Sequence, residues 1–278
     1  MSEWLRTKIK DFHYSKQTLI MGILNVTPDS FSDGGNYVSI DHAIAQAKKM
    51  EREGAHIIDI GGESTRPGHQ PVSEQEEIER VVPVIEAISR EVDLPVSIDT
   101  YKAEVAKQAV KAGASIINDV WGAKKEPAIA KVAAAHNVPI ILMHNRREAN
   151  YQSFVEDMLA DVKECVQIAI DAGVTRDNII VDPGIGFAKN YEQNILAMQN
   201  LDKLKQLGYP VLLATSRKSV IGQVLDLPVD QRDEGTGATV CFGITKGVEL
   251  VRVHNVEMAA RMARMMDALI DKGSERHG

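Results

Sequence analysis

Cysteine is nearly absent from this chain. Cys165 and Cys241 are the only two, they stand far apart, and neither has metal-type spacing, so no disulfide framework or zinc centre is expected. Both lie in stretches that read as helices and are expected to be buried thiols in a reducing compartment. Positive charge is also scarce. The formal net charge is −7 and no basic stripe stands out, which argues against a nucleic-acid binder and for small-molecule partners. No apolar stretch reaches the roughly 18 residues that a membrane span needs, and residues 1–15 are too charged for a signal peptide. A cytoplasmic protein is expected.

What the chain has in quantity is apolar residues, 44% of the sequence, and they come in short runs. The run Ile179-Ile180-Val181-Asp182-Pro183-Gly184 shows the pattern. Apolar residues without polar alternation read as a strand buried on both faces, and this one stops at a carboxylate followed by a backbone breaker. Residues 18–25, 56–61, 96–100, 115–119, 140–144, 211–216 and 249–254 repeat the pattern. Between consecutive runs lie roughly 25 to 40 residues rich in Ala, Lys and Glu with helical spacing, about the length of one βαβ crossover. Eight such units predict an α/β fold, a closed (β/α)8 TIM barrel. Such barrels take about 250 residues, so residues 1–278 are expected to form a single barrel domain.

A TIM barrel gathers its active site at the C-terminal ends of its strands. Here those ends carry Asn25, Asp59, Asp99, Asn118, His144, Asp182, Lys218 and His254. Any one of them could serve a turn or cap a helix, and Asp99, before a predicted helix over 103–112, is a fair cap candidate. Eight polar ends converging on one mouth favour a site. After the first strand, helical spacing resumes only near Asp41, a connection long enough to act as a lid, with Phe31 an aromatic that needs something to cover. The second strand runs into Gly61-Gly62-Glu63-Ser64-Thr65-Arg66-Pro67-Gly68, where paired glycines let backbone N–H groups approach an anion. The capping box Ser73-Glu74-Gln75-Glu76 that follows explains a helix start but not Arg66. Met143 points into the barrel or under a ligand. Strand six leads into Gly184-Ile185-Gly186-Phe187-Ala188-Lys189, and strand seven into Thr215-Ser216-Arg217-Lys218-Ser219. Arg252 and His254 share one side of strand eight. Loops seven and eight commonly hold phosphate, and an unpaired buried charge is costly, so Arg252 is expected to meet an anion. The last helix, predicted over 256–272, spaces Met258, Met262, Met265 and Met266 as an apolar face for the barrel or a second subunit.

These motifs resemble those of the bacterial dihydropteroate synthases over nearly the whole chain. The resemblance is carried by Gly22-Ile23-Leu24-Asn25-Val26-Thr27-Pro28-Asp29-Ser30-Phe31-Ser32-Asp33-Gly34, residues 61–68, Ser97-Ile98-Asp99-Thr100, Ile117-Asn118-Asp119, residues 182–187, Ser216-Arg217-Lys218-Ser219 and Arg252-Val253-His254. One stretch departs from it: Asn145-Arg146-Arg147 stands where the family often has a Gly-containing turn. The resemblance implies condensation of a dihydropterin-methyl diphosphate with p-aminobenzoate, releasing pyrophosphate and giving dihydropteroate for folate synthesis. It implies a pterin site of Asp99, Asn118, Met143, Asp182, Phe187 and Lys218, and a diphosphate site of Asn25, Thr65, Arg66, Arg252 and His254. It implies a p-aminobenzoate site of Phe31, Thr65, Pro67, Lys218 and Ser219. Asp33, Phe31, Lys218 and Arg66 would carry the catalysis, and Asn25 would ligate Mg²⁺. A homodimer through the late helices is implied as well. Two rivals stand beside this reading, a pterin-handling methyltransferase, which would keep Asn118 and Asp182 but has no use for a diphosphate site, and a pterin-binding protein without turnover. Arg252, His254 and the first loop count against the former, and intact Asn25, Asp33, Arg66 and Lys218 against the latter.

Overall fold

The computed structural model describes residues 3–26, 35–63 and 72–273. A short antiparallel hairpin, β1 (Trp4–Leu5) and β2 (Phe12–His13), leads into a parallel sheet. Among the described residues the sheet has eight strands: β3 (Leu19–Asn25), β4 (Ile57–Gly61), β5 (Val96–Asp99), β6 (Ile116–Asp119), β7 (Ile140–Met143), β8 (Ile179–Asp182), β9 (Leu212–Leu213) and β10 (Leu250–Val253). Leu250 of β10 pairs with Leu19 of β3, and a parallel bridge from Val181 to Val211 joins β8 to the start of β9, so the sheet closes on itself. Helices α1 (Gly35–Glu53), α2 (Glu74–Glu91), α3 (Ala103–Ala112), α4 (Ala128–His136) and α5 (Phe154–Asp171) connect successive strands. The outer layer continues with α6 (Tyr191–Gln199), α7 (Leu201–Lys205), α8 (Ser219–Leu225), α9 (Asp233–Thr245) and α10 (Val256–Leu269). No helix among the described residues is long and apolar enough to cross a membrane.

Side chains alternate along a strand, and in a closed barrel the alternation separates two cores rather than a core and solvent. Ile58, Ile117, Ile179 and Val251 face outward and pack with helix residues such as Val81, Ile85, Val105 and Val162. Met21, Ile57, Ile116, Ile141, Ile180, Leu212 and Leu250 form a second cluster inside, which Leu5 and Phe12 of the hairpin join. The hairpin thus closes the end where the strands begin. Strands of two residues carry too little periodicity to be read from sequence. Two residues further along each strand the inward column turns polar: Ile57 is followed by Asp59, Ile116 by Asn118, Ile180 by Asp182 and Leu250 by Arg252. The barrel is therefore apolar at one end and charged at the other.

Several local expectations need correction. The first helix starts at Gly35 rather than near Asp41, because Gly35 and Asn36 carry no apolar period. Strand seven is only Leu212–Leu213, and the last helix stops at Leu269. Asp99 does not cap α3: the residue before the helix is Lys102, whose side chain makes no cap bond, and the Ala103 N–H donates to the Glu126 carboxylate at 2.9 Å. Ser73 does cap α2, accepting from the Glu76 N–H at 3.2 Å, but the Glu76 carboxylate pairs with Arg80 instead of closing a box. Cys165 is buried and its thiol is pushed up to about 12 by that burial, whereas Cys241 is half-exposed on the flank of α9. Met262 and Met258 lie over Gly237 of α9, where a Cβ would come within 2.5 Å of the Met262 sulfur, and Met266 packs on the outer core. Met265 leaves the stripe and is 58% exposed.

Candidate active site

The polar layer above the inner core is a connected network. Asp59 is fully buried and accepts from Arg252 Nε at 2.6 Å and from Asn118 Nδ2 at 3.2 Å. Asp99 accepts from Arg252 Nη2 at 2.7 Å. One guanidinium from β10 thus bridges carboxylates on β4 and β5, and these are the anions it meets within the protein. Each carboxylate keeps one buried oxygen, Oδ1, without a protein partner. Burial pushes the Asp99 carboxyl up from the usual range, with Arg252 opposing and Asp59 reinforcing. Gly61 lies between Asp99 and Asn25: a Cβ there would sit at ordinary contact distance, 3.6 Å from Asp99 Cβ and 3.9 Å from Asn25 Oδ1, so Asn25, exposed at the end of β3, shares the mouth.

Across the mouth, Asp182 is buried, and its Oδ1 accepts from the Gly184 N–H at 2.7 Å. Burial raises its pKa, against the pull of Lys218. Lys218 lies just before α8, donates to the Ile185 carbonyl, and places its ammonium 4.7 Å from the centre of the Phe187 ring. Burial draws its pKa down to about 8, with Asp182 opposing. Met143 is buried two residues beyond the inward Ile141 and in register with Asp182, so it points into the barrel within this layer.

At the end of β10, His254 Nδ1 lies 2.8 Å from Ser216 Oγ, and the Ser216 hydroxyl also accepts the His254 N–H. Ser219 is exposed at the start of α8. Arg217, at φ +58°, turns away to a bidentate pair with Asp233 at 2.7 and 3.0 Å, which leaves Lys218 as the cation facing the mouth. On the other side, Lys102 donates to Glu63 at 2.5 Å, Glu77 at 2.6 Å and the Val72 carbonyl at 2.8 Å, so one ammonium ties the described residues that flank 64–71. Phe31, Asp33, Thr65, Arg66 and Pro67 lie outside the described residues.

Asn118, Asp99, Asp182, Lys218 and Arg252 are thus brought together as neighbours in one charged mouth. Asp59 stood among the strand ends without a role, although its place two residues after the inward Ile57 could have assigned it to the same layer. Lys189, at the end of the loop after strand six, has no role assigned by the sequence. Its partner, His144, lies in the fifth strand, too far away in sequence for spacing to connect them.

Comparison with known proteins agrees with this geometry. A family model described as pterin binding enzyme matches residues 21–254. The dihydropteroate synthase of Bacillus subtilis (strain 168) is 63% identical over 274 residues, covering 99% of this chain and 96% of that protein. A crystal structure of the Clostridium difficile dihydropteroate synthase in the presence of pteroic acid superposes with a TM-score of 0.91 at 50% identity, covering 93% of this chain and 98% of the other. The Xanthomonas albilineans enzyme with 4-aminobenzoic acid gives 0.92 at 37% identity, covering 97% and 99%. The chain belongs to the pterin-binding enzyme family, and within it to the dihydropteroate synthases.

Proposed function

We propose that the charged mouth binds a dihydropterin-methyl diphosphate and passes its methyl carbon to p-aminobenzoate. The carrying observation is the set of buried Asp182 and Asn118 with half-buried Lys218 at one end of the barrel. A pterin presents an amino group and a ring N–H beside a carbonyl, and so calls for a carboxylate, an amide and a cation. Asp182 takes the donors, Asn118 and Lys218 serve the acceptors, Asp99 is a second acceptor, and Met143 and Phe187 form apolar walls. Wrong heterocycles would leave these groups unpaired, which is how a buried polar site discriminates.

The diphosphate lies toward Asn25, Thr65, Arg66, Arg252 and His254. Because Asp59 and Asp99 offset its charge, Arg252 orients the leaving group more than it attracts it. The donor set suits Mg²⁺. Among the described residues no group of His, Cys, Asp and Glu side chains forms a metal cage, and a single amide oxygen, Asn25 Oδ1, fits a hard cation that binds chiefly to substrate phosphate and water. When bound, the ion neutralises charge on the departing pyrophosphate. The C–O bond to pyrophosphate breaks first. The amine nitrogen of p-aminobenzoate then supplies the pair for the new C–N bond and gives up one proton. By the family resemblance Asp33 would serve the cationic carbon, Phe31, Thr65 and Pro67 would surround the p-aminobenzoate ring, and Lys218 and Ser219 would meet its far end. A site shielded from water would keep water from trapping the cation.

Exposed apolar side chains on neighbouring helices, Phe242 on α9 and Met265 and Leu269 on α10, support a homodimer over this face. The two cysteines, unpaired and distant, suit a cytoplasmic location.

The test is calorimetry with the pterin diphosphate and Mg²⁺ across pH. Lys218 loses its proton as pH rises through about 8, so its contribution to affinity is full well below that value and declines above it. In Lys218→Arg, whose guanidinium stays charged, the protein's share of the decline is absent. No binding at any pH removes the pterin assignment, and the same profile in both proteins removes Lys218 from it.

A further inference from the structure

The loop between β8 and α6 is bent through left-handed backbone. Gly184 has φ +67°, Gly186 +82° and Ala188 +44°, conformations that cost little for glycine and more for alanine. Gly184 is also pressed against the end of β7: a Cβ there would lie 1.9 Å from the His144 carbonyl oxygen. Such a turn directs its carbonyls to one side, and each needs a donor. Lys189 Nζ donates to the Gly184 carbonyl at 2.9 Å and the Phe187 carbonyl at 3.1 Å. Lys218 takes Ile185, and the Tyr151 hydroxyl donates to the Ala188 carbonyl at 2.8 Å.

The third acceptor for Lys189 is His144 Nδ1, at 2.7 Å. Burial draws the Lys189 pKa down to about 7, with Asp182 opposing; in its charged form the ammonium has three hydrogens, and here each has one acceptor. His144 is fully buried, and burial draws its pKa down to about 4, so the ring is neutral and one nitrogen must carry the lone pair. Its Nε2 lies 3.0 Å from Asp161, which fixes the tautomer: Nε2 carries the hydrogen and Nδ1 accepts. Asp161 is held in turn by Arg146 Nε at 2.5 Å and Lys124 at 3.2 Å. Its carboxyl stays well below the usual range because these hydrogen bonds and His144 outweigh burial, which acts to raise it. The Arg146 guanidinium lies 4.3 Å from the centre of the Tyr151 ring. The segment after strand five, where the sequence departs from the family's Gly-containing turn, is thus a brace running from Asp161 to the loop after β8.

We propose that Lys189, oriented by His144 and Asp161, is a positioning residue that sets the 184–187 turn and, through it, the placement of Asp182, Phe187 and Lys218 against the pterin. Lys189 touches no substrate. Asp182 feels its effect through the Gly184 N–H, Phe187 through its own carbonyl, and Lys218 through Ile185. This rests on the pterin reading of the pocket.

The test compares Lys189→Met and Tyr151→Phe with the wild type, by calorimetry of pterin binding and by steady-state kinetics. Leaving a buried polar binding group imperfectly paired costs roughly 5- to 150-fold in affinity. Lys189→Met is therefore expected to weaken pterin affinity, and to raise KM for the pterin diphosphate, by about 10- to 100-fold. KM for p-aminobenzoate should stay within about twofold. Tyr151→Phe deletes only the hydroxyl, leaves the packing intact, and should give a shift of a few-fold in the same direction. A merely structural role would lower the active fraction and leave both KM values alone. That result, or equal rises in both, overturns the proposal. If the wild type itself fails to bind the pterin, the pocket reading fails instead. If Lys189→Met does not fold, an unshifted pterin KM in Tyr151→Phe overturns the proposal.

Discussion

Asp182→Ala is expected to abolish measurable pterin binding while the protein melts no lower than the wild type at pH 7. Truncating one partner of a buried, charge-assisted hydrogen-bonded pair typically costs about 2–5 kcal/mol in binding, roughly 30- to several thousand-fold. Asp182 is placed for that loss: it is buried, and its Oδ1 is aimed by the Gly184 N–H at 2.7 Å. The stability side follows from its pKa. Burial raises the folded value above the ordinary one, so above the ordinary value the fold is charged for keeping the carboxylate ionised, and the penalty fades as pH falls through the raised folded value. At pH 7 alanine removes a group that the fold tolerates for function. Calorimetry with a pterin ligand alongside a melting curve decides it. Unchanged affinity takes Asp182 out of the site, and a collapse in melting temperature makes it a structural residue.

Arg252→Leu is expected to have the opposite character, with a large loss of stability as well as activity. Its guanidinium joins Asp59 and Asp99 across the mouth, and leucine would strand both carboxylates. Removing one partner of a buried ion pair costs about 3–5 kcal/mol, which for a protein of this size lowers the melting temperature by on the order of 10 °C. The pH dependence is a sharper signature. Burial already raises the Asp99 pKa and Arg252 opposes it, so removing Arg252 raises it further. The cost of an ionised Asp99 is then greatest at high pH and shrinks as pH falls and the carboxyl takes up its proton. The gap between variant and wild type should narrow from pH 8 toward pH 5.5, and Asp99→Asn in the Arg252→Leu background should recover part of the loss. A gap that does not change with pH would mean that lost packing, not stranded charge, is responsible.

The barrel was legible because its strands are apolar on both faces and end abruptly. The run 179–182 announces β8 through β-branched residues and the stop at Asp182-Pro183-Gly184. Counting residues along the strands carried over into the site as well, since Asn118 and Arg252 lie where the inward column predicts. Less legible were features decided by contacts between distant segments. The β1–β2 hairpin is too short to show a period, yet Phe12 closes the inner core. Asp99 looked like a helix cap because an acid before a helix usually is one; here Arg252, 153 residues away along the chain, claims it. Lys189 is joined to His144 across 45 residues, a pairing that neither spacing nor composition encodes.

Pyrophosphate release, measured with the pterin diphosphate and Mg²⁺ in the presence and absence of p-aminobenzoate, bears most directly on the proposed chemistry. Sustained release that needs the amine, with dihydropteroate formed in equal amount, is the expected result. Tight pterin binding without release under either condition would contradict it, and the assignments of Asn25, Arg66, Arg252 and His254 to the diphosphate would fall together.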